Sequence, residues 1–404
     1  MKTQSRHTGK VGIALAGGGP LGGIYEIGAL VALEDALIGL SPAACDIYVG
    51  VSSGAFIAAG LANGIAPREM HAMFILDRSH SDPFEPELLL RPAFGEFGQR
   101  LMRAPELMQA AAMAYFAPGP TRGFVESFMR LTRGLPNGVF DNGAVAAYLA
   151  RLFGQPGRTD DFRKLGPRLF VVATDLDSGK STPFGAPGLD DVPISEAVKA
   201  SSALPGLYPP ARIGGRDYVD GVMKKTLHAS VALKAGAKLL ICINPLVPYN
   251  STLAESRGVE PTRLADRGLA TVLSQTFRAL IHSRMQIGME RYAKEYPHSD
   301  VVLFEPGQDD PVIFFANMFS YMGRKRLAEH AYRHTLAELK RRADELEPIL
   351  RRHGVKLDAS VLSRENPTLG KPERMDGLWS VRPLETTLGQ LEKTFSSIGW
   401  NVSE

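Results

Sequence analysis

Two short apolar runs near the N-terminus are each followed by a turn rich in small residues and then by a helical pattern. Residues 10–16 (KVGIALA) form the first run, which glycines end, and residues 22–39 then carry apolar side chains at helical spacing. Residues 46–51 form the second run, and a small-residue helix is predicted over 53–63. Strand, loop and helix repeated in this order predict an α/β fold with a mostly parallel central sheet.

The α/β pattern is interrupted between residues 67 and 143 and returns afterwards. The interrupting region is rich in methionine, phenylalanine and proline, which predicts short helices joined by tight turns. Strands are predicted again at residues 168–174 and 238–243, with a strand pair around 211–219.

The composition excludes several classes of protein. The 404 residues include 46 basic and 43 acidic side chains, a net charge of +3, so no nucleic-acid partner is expected. Cys45 and Cys242 both stand beside apolar runs, which favours buried thiols in a reducing compartment over disulfides. The N-terminal sequence lacks the uninterrupted apolar segment of a signal peptide, and small polar residues break the uncharged run 47–67. The sequence therefore predicts a cytoplasmic protein and leaves contact with a membrane surface open.

A glycine-rich loop separates the first predicted strand from its helix. In the sequence GGGPLGG, which starts at Gly17, consecutive glycines allow backbone N–H groups to converge on an anion, aided by the helix N-terminus. Pro20 has no N–H, so Gly18 and Gly19 are the expected donors. The anion is either a phosphate or an oxyanion formed during acyl transfer, and a purely structural turn is the alternative. The spacing also fits a dinucleotide-binding loop, but the acidic residue that such a loop requires after the second strand is missing.

The second motif follows the second predicted strand. Gly50 to Gly54 read G-x-S-x-G, a pattern that exposes its middle serine on a sharp strand-to-helix turn. Ser52 is therefore the candidate nucleophile, and its neighbour Ser53 is expected to cap the helix. The two glycines relieve crowding around the strained serine.

A serine nucleophile needs a base, and the sequence offers an aspartate rather than a histidine. None of the nine histidines has obvious companion residues; His228 comes nearest to a motif and is expected to cap a helix or cover the surface. Asp220 stands before Gly221, which leaves room for another backbone or a substrate beside the carboxylate. An Asp-Gly turn between strands is the structural alternative. No spacing typical of metal ligands is present, so neither a metal nor a cofactor is expected.

Taken in this order, the glycine loop, the G-x-S-x-G turn and the downstream Asp-Gly pair resemble the patatin-like phospholipases. Two further stretches agree: residues 200–210 (ASSALPGLYPP) look like the family's Ala-Ser…Pro block, and residues 173–179 (ATDLDSG) are similar to its Ala-Thr-Asp strand end. The resemblance covers roughly residues 10–245. It implies a three-layer α/β/α fold with added helices. It also implies hydrolysis of acyl esters of lipids, as by a phospholipase A, a lysophospholipase or another lipid acyl hydrolase, through a serine–aspartate dyad without a cofactor.

Within this resemblance, Ser52 corresponds to the nucleophile and Asp220 to the base. The oxyanion loop corresponds to Gly17, Gly18 and Gly19, and the supporting glycines are Gly22, Gly50, Gly54 and Gly221. The chain departs from the family at Leu21, where a basic residue is frequent, and at Val222, where glycine or alanine is frequent. Both departures bear on the preferred head group and neither removes a catalytic atom.

The expected organisation is a catalytic domain over 8–250, a C-terminal helical region over 251–357 and an irregular tail over 358–404. Inside the first, residues 67–143 are expected to be helical and to supply a lid or an acyl groove. Two other functions remain as alternatives: an acyltransferase on a related scaffold, and a non-catalytic regulatory protein that binds a nucleotide at the glycine loop. The expected partner is a lipid or other acyl ester, and the sequence does not determine the oligomeric state.

Overall fold

The computed structural model describes residues 9–76, 89, 91–93, 137–260, 263–316 and 323–370. Contacts between residues define a compact unit that ends at Leu369. Most of the region over 67–143, with its expected lid or acyl groove, and residues 371–404 of the expected tail lie outside the described residues. The start of that tail is not irregular, because residues 359–362 form a short helix.

Strands and helices alternate along the described part of the chain. The strands are β1 (Lys10–Leu15), β2 (Leu37–Ile38), β3 (Ile47–Gly50), β4 (Arg168–Asp175), β5 (Ser181–Phe184), β6 (Ala211–Ile213), β7 (Arg216–Asp220), β8 (Ala237–Ile243), β9 (Asp300–Phe304) and β10 (Lys356–Leu357). The helices are α1 (Gly19–Ala36), α2 (Ser53–Ala62), α3 (Pro67–Met70), α4 (Gly143–Phe153), α5 (Ile194–Ser201), α6 (Ala229–Lys234), α7 (Ser251–Ser256), α8 (Leu269–Glu295), α9 (Pro311–Phe314), α10 (Arg324–Arg341), α11 (Ala343–Arg352) and α12 (Ala359–Leu362).

Eight strands form one sheet in the order β6-β7-β4-β3-β1-β8-β9, and β5 also pairs with β4. The neighbours β4, β3, β1, β8 and β9 run parallel to one another. β5 and β7 run antiparallel to β4, and β6 runs antiparallel to β7. The predicted mostly parallel central sheet is therefore confirmed. β2 and β10 form a separate antiparallel pair.

Helices bury both faces of the sheet. In β1, Ile13 and Leu15 belong to one cluster of buried apolar residues, whereas Ala14 belongs to a second. Helices α1, α2 and α10 contribute to the first cluster, and α6 and α8 contribute to the second. Because both faces are covered, the central strands are apolar throughout instead of alternating, which confirms the three-layer α/β/α arrangement. Cys45 and Cys242 are buried free thiols, as the sequence predicts.

Helix α1 begins earlier than the sequence pattern indicates. It starts at Gly19 instead of Gly22, with Pro20 in its first turn, where the missing N–H is not needed for a helical hydrogen bond. It also ends earlier, at Ala36, because the next two residues form β2. The third glycine of the loop is thus the first residue of a helix, and its N–H group lies at the positive end of the helix dipole.

Within the described ranges, every helix falls short of the combination of length and hydropathy that a membrane crossing requires.

Helices α1 and α10 pack closely at Gly28. A β-carbon there would lie 2.3 Å from the carbonyl oxygen of Ala328 and 2.9 Å from the β-carbon of Ala331. We expect Gly28→Ala to lower the free energy of unfolding by about 1–3 kcal/mol, because overpacking outweighs the roughly 1 kcal/mol that alanine contributes to a helix.

Gly288→Ala in α8 is the matched control for Gly28→Ala. A β-carbon at Gly288 meets no atom closer than 3.7 Å, so alanine should raise the free energy of unfolding by up to about 1 kcal/mol. Urea unfolding of both variants measures the difference. Stabilisation by both substitutions would contradict the close crossing at Gly28.

Candidate active site

Ser52 occupies the turn between β3 and α2 in a strained backbone conformation. Its φ of 53° and ψ of −123° make it the only residue other than glycine with positive φ among the described residues. Such a conformation costs of order 1–3 kcal/mol and persists only where the surroundings enforce it. The G-x-S-x-G motif therefore forms the sharp strand-to-helix turn that the sequence predicts.

The two motif glycines allow the turn to pack tightly. A β-carbon at Gly50 would lie 2.4 Å from the carbonyl oxygen of Gly54, and one at Gly54 would lie 2.5 Å from that of Ala16. Any larger residue at either position would push the turn away from β1 or from its own helix.

Ser201 holds the backbone of Ser52 in place. The Ser52 N–H donates a hydrogen bond of 2.9 Å to the Ser201 hydroxyl, which in turn donates to the Val172 carbonyl at 2.7 Å. Ser201 is fully buried at the end of α5, 149 residues from Ser52 in sequence. In the sequence this serine stands out only as part of the block 200–210. Its contact with Ser52 depends on the tertiary fold, which no local pattern reveals.

The register of β4 brings Asp220 to the level of Ser52. Gly50 in β3 is paired with Val171, and Asp220 in β7 is paired with Ala173, two residues further along β4. Ser52, two residues beyond Gly50, therefore lies at the same end of the sheet as Asp220. A β-carbon at Gly221 would lie only 2.2 Å from the Val172 carbonyl oxygen, so the chain turns at Gly221 against β4.

Burial raises the pKa of the Asp220 carboxyl to about 7. A side-chain hydrogen bond with Ser52 and one from the backbone N–H of Val222, at 2.9 Å, oppose the rise without cancelling it. Asp220 is only 2% exposed. A carboxyl with this pKa is a far stronger base at neutral pH than a solvated aspartate.

The glycine-rich loop packs against the side chains of Ser52 and Val222. A β-carbon at Gly17 would lie 2.3 Å from the Val222 side chain and 3.0 Å from the Ser52 β-carbon, so only glycine fits there. Gly18 and Gly19 line the same cavity as Ser52 and Asp220. Gly17 is buried behind the cavity wall.

Two further details fix the shape of the loop. Gly19 has a φ of +62°, a conformation that side chains other than glycine rarely adopt. The Gly22 N–H donates to the Gly18 carbonyl at 3.0 Å, and a β-carbon at Gly22 would lie 3.2 Å from the Ser53 hydroxyl. The backbone N–H groups of Gly18 and Gly19 thus belong to the first turn of α1, where helical hydrogen-bond acceptors are absent.

The cavity in front of Ser52 has a volume of about 360 Å³ and mainly apolar walls. Side chains from α1, α2, α4 and α8 contribute to these walls, among them Ile24, Ile27, Phe56, Ile57, Val145 and Phe277. Among the described residues that line it, the cationic ones are Lys199 and Arg278. An apolar cavity with a few convergent polar groups is typical of a small-molecule site.

Two expectations about neighbouring residues need correction. His228 is the N-cap residue of α6, one of the two positions expected for it, but its side chain makes no capping hydrogen bond and is buried instead of covering the surface. Its Nε2 lies 3.5 Å from the Gly221 carbonyl oxygen, and burial lowers its pKa to about 4. It contributes to a different cavity from that of Ser52. Ser53 makes no capping hydrogen bond, because Ser52 itself is the N-cap of α2, and the buried Ser53 hydroxyl has no hydrogen-bond partner among the described residues.

In the described ranges, no group of three or more His, Cys, Asp or Glu side chains is arranged to hold a metal ion.

A serine on a strained strand-to-helix turn beside a buried carboxyl is an arrangement found in α/β proteins with an activated serine. The sequence model of the family described as "Patatin-like phospholipase" matches residues 13–233, more than half of the chain. The chain therefore belongs to the patatin-like phospholipase family, and the resemblance found in its sequence motifs is confirmed.

Several solved structures give weaker matches. VipD from Legionella pneumophila is 14% identical with a TM-score of 0.29, and the match covers 63% of this chain and 52% of that one. The type III effector protein ExoU is 17% identical with a TM-score of 0.31, covering 83% and 53%. Human GIVD cytosolic phospholipase A2, in complex with methyl γ-linolenyl fluorophosphonate, is 16% identical with a TM-score of 0.25, covering 62% and 43%. The chain spans about half the length of these proteins.

The raised pKa of Asp220 predicts a pH-dependent effect of Asp220→Asn on stability. The folded-state pKa of about 7 lies above the ordinary value of 3.8, so unfolding releases a proton at intermediate pH and the wild-type protein loses stability as pH rises from about 4 to about 7. Asparagine carries no such penalty. The variant's gain in free energy of unfolding should grow over this range to at most roughly 4 kcal/mol and stay constant above pH 7.

Thermal unfolding of wild type and Asp220→Asn between pH 4.5 and 8.5 measures this gain. Ser53→Ala, which changes a side chain beside the site but removes no titratable group, is the control and should show no such trend. A difference between Asp220→Asn and wild type that does not vary with pH would contradict a raised pKa at Asp220.

Proposed function

We propose that the chain is a serine hydrolase of lipid acyl esters in which Ser52 is the nucleophile and Asp220 the base. The observation that carries this proposal is the pairing of a strained serine with a buried aspartate of pKa about 7 at the end of an apolar cavity. This refines the lipid hydrolysis that family membership supports by assigning residues and a reaction type.

The reaction begins with proton transfer from the Ser52 hydroxyl to the Asp220 carboxylate as the serine oxygen attacks the ester carbonyl. The resulting oxyanion accepts hydrogen bonds from the N–H groups of Gly18 and Gly19, next to the positive end of α1. The tetrahedral intermediate collapses, Asp220 donates its proton to the leaving alcohol, and an acyl-serine remains. Water then attacks this acyl-serine with Asp220 again as base, which releases the fatty acid and restores Ser52.

Three of the predicted glycines have different roles in this scheme. Gly18 and Gly19 line the cavity and supply the donors. Gly17, whose missing side chain makes room for Ser52 and Val222, is assigned to the packing of the loop, and a hydrogen bond from its N–H to the oxyanion stays a prediction. Removing a single oxyanion donor usually costs about 10²- to 10³-fold in kcat.

The cavity favours hydrolysis of acyl esters over the two alternatives. Its apolar walls suit an acyl chain, whereas a nucleotide would need polar contacts for its ribose and base. An acyltransferase of the malonyl-transfer type pairs its serine with a histidine, and His228 faces the carbonyl of Gly221 from outside the cavity.

A cytoplasmic location with contact at a membrane surface, and the domain boundaries given above, stay predictions.

Replacing the nucleophile should abolish hydrolysis of a simple ester. We expect Ser52→Ala to lower the rate of p-nitrophenyl butyrate hydrolysis by about 10⁶-fold, because the variant has no hydroxyl to form the acyl intermediate. Ser53→Ala is the control: it removes a neighbouring hydroxyl without a hydrogen-bond partner and should keep most activity. Retention of more than a few per cent of activity by Ser52→Ala would exclude Ser52 as nucleophile.

Replacing the base separates an aspartate mechanism from a histidine mechanism. Asp220→Asn preserves size but removes the proton acceptor, so kcat/KM should fall by about 10²- to 10⁴-fold, the usual contribution of a general base. In wild type, kcat/KM should rise with pH to a plateau above about pH 7, because the carboxylate form is active.

His228→Asn is the matched variant for this test, and it should keep most activity and the same pH profile. Circular dichroism shows whether both variants are folded. A loss of activity in folded His228→Asn equal to that in Asp220→Asn would replace the dyad by a mechanism that requires histidine.

A further inference from the structure

Arg278 faces the cavity of Ser52 from helix α8, outside the residues that match the family. Its side chain is partly buried between the helix and the cavity wall, and burial lowers the pKa of its guanidinium. The pattern of the sequence motifs gives no reason to select this residue.

The guanidinium of Arg278 has few partners. Its Nη1 donates a hydrogen bond of 3.3 Å to the Val247 carbonyl, and the guanidinium carbon lies 5.3 Å from the centre of the Phe314 ring. Within the described ranges, no carboxylate lies within 4.0 Å of it. The other cation on the cavity wall differs, because the Lys199 ammonium is paired with Glu196 at 3.1 Å.

A partly desolvated cation without a counter-ion is unfavourable unless an anion binds to it. An arginine side chain is suited to an anion with two oxygens, since its planar fork donates two parallel hydrogen bonds to a phosphate or a carboxylate. Because Arg278 shares its cavity with Ser52, such an anion would belong to the molecule whose ester Ser52 attacks.

We propose that Arg278 forms a subsite for the phosphate group of the substrate, which makes a glycerophospholipid or lysophospholipid a better substrate than a neutral ester with the same acyl chain. This inference rests on the proposed function of Ser52. In such lipids the phosphate is separated from the scissile ester by only a few bonds, so both groups enter one cavity together. The phosphate then replaces water at the guanidinium, while the acyl chain contacts the apolar walls.

A pair of substrates that differ only in the phosphate tests the subsite. We expect Arg278→Gln to lower kcat/KM for 1-palmitoyl-glycerophosphocholine by about 10- to 100-fold, as expected for a lost charge-assisted hydrogen bond, and to change kcat/KM for 1-monopalmitoylglycerol less than threefold. Arg278→Lys should recover part of the loss because it restores the charge without the fork. Arg284→Gln, at an exposed position on the same helix, is the control.

Binding measurements test the phosphate subsite at Arg278 independently of the assignment of Ser52 as nucleophile. In the Ser52→Ala background, which cannot hydrolyse the lipid, Arg278→Gln should weaken binding of 1-palmitoyl-glycerophosphocholine by about tenfold. Equal losses on the phosphorylated and neutral esters, or unchanged binding, would overturn the phosphate subsite. Weaker inhibition by palmitate without a change in phospholipid hydrolysis would instead assign Arg278 to the carboxylate of the product. Activity that persists in Ser52→Ala would refute the nucleophile and leave the binding test of Arg278 valid.

Discussion

Strand β4 is the element on which the site depends. It pairs in parallel with β3, after which Ser52 follows, and in antiparallel with β7, which ends at Asp220. The carbonyl oxygen of Val172 in β4 accepts the hydrogen bond of Ser201, which holds the Ser52 backbone, and it packs against Gly221. A shift of either neighbouring strand by one residue would separate the serine from the aspartate and turn alternate side chains to the opposite face.

The same packing gives the two side chains their chemical properties. Ser52 keeps an unfavourable backbone conformation because Gly50 and Gly54 let the turn close against its neighbours. Asp220 keeps an unfavourable environment for its charge, which raises its pKa into the range where a carboxyl can act as a base at neutral pH. Stability is therefore reduced at the residues that carry the proposed reaction, and the tightly packed helices on both faces of the sheet compensate for it.

Much of the fold was accessible from the sequence because buried parallel strands and the turns after them have strong local patterns. The strand-to-helix turn at Ser52 follows from the G-x-S-x-G pattern between a predicted strand and a predicted helix, and the family match confirms the class of protein. The contact between Ser201 and Ser52, the raised pKa of Asp220 and the position of Arg278 were not predictable in this way. Each of these features depends on contacts between segments that are far apart in the chain. In particular, the ordinary pKa of an aspartate makes it a poor base at neutral pH, and only the burial seen in the structure reveals the raised pKa of Asp220. The sequence pattern placed the start of α1 at Gly22 instead of Gly19, because the glycines of the first turn carry no apolar side chains at helical spacing.

In the proposed mechanism a buried aspartate, and no histidine, activates Ser52. The most direct measurement is the rate at which a fluorophosphonate labels Ser52 between pH 5 and 9, with the modified residue identified by mass spectrometry. With Asp220 as the base, labelling should accelerate through one titration near pH 7, where the Asp220 carboxyl loses its proton. Asp220→Asn should be labelled slowly at every pH, while His228→Asn should match wild type. A labelling rate that does not change with pH, or a titration that disappears in His228→Asn, would contradict this mechanism.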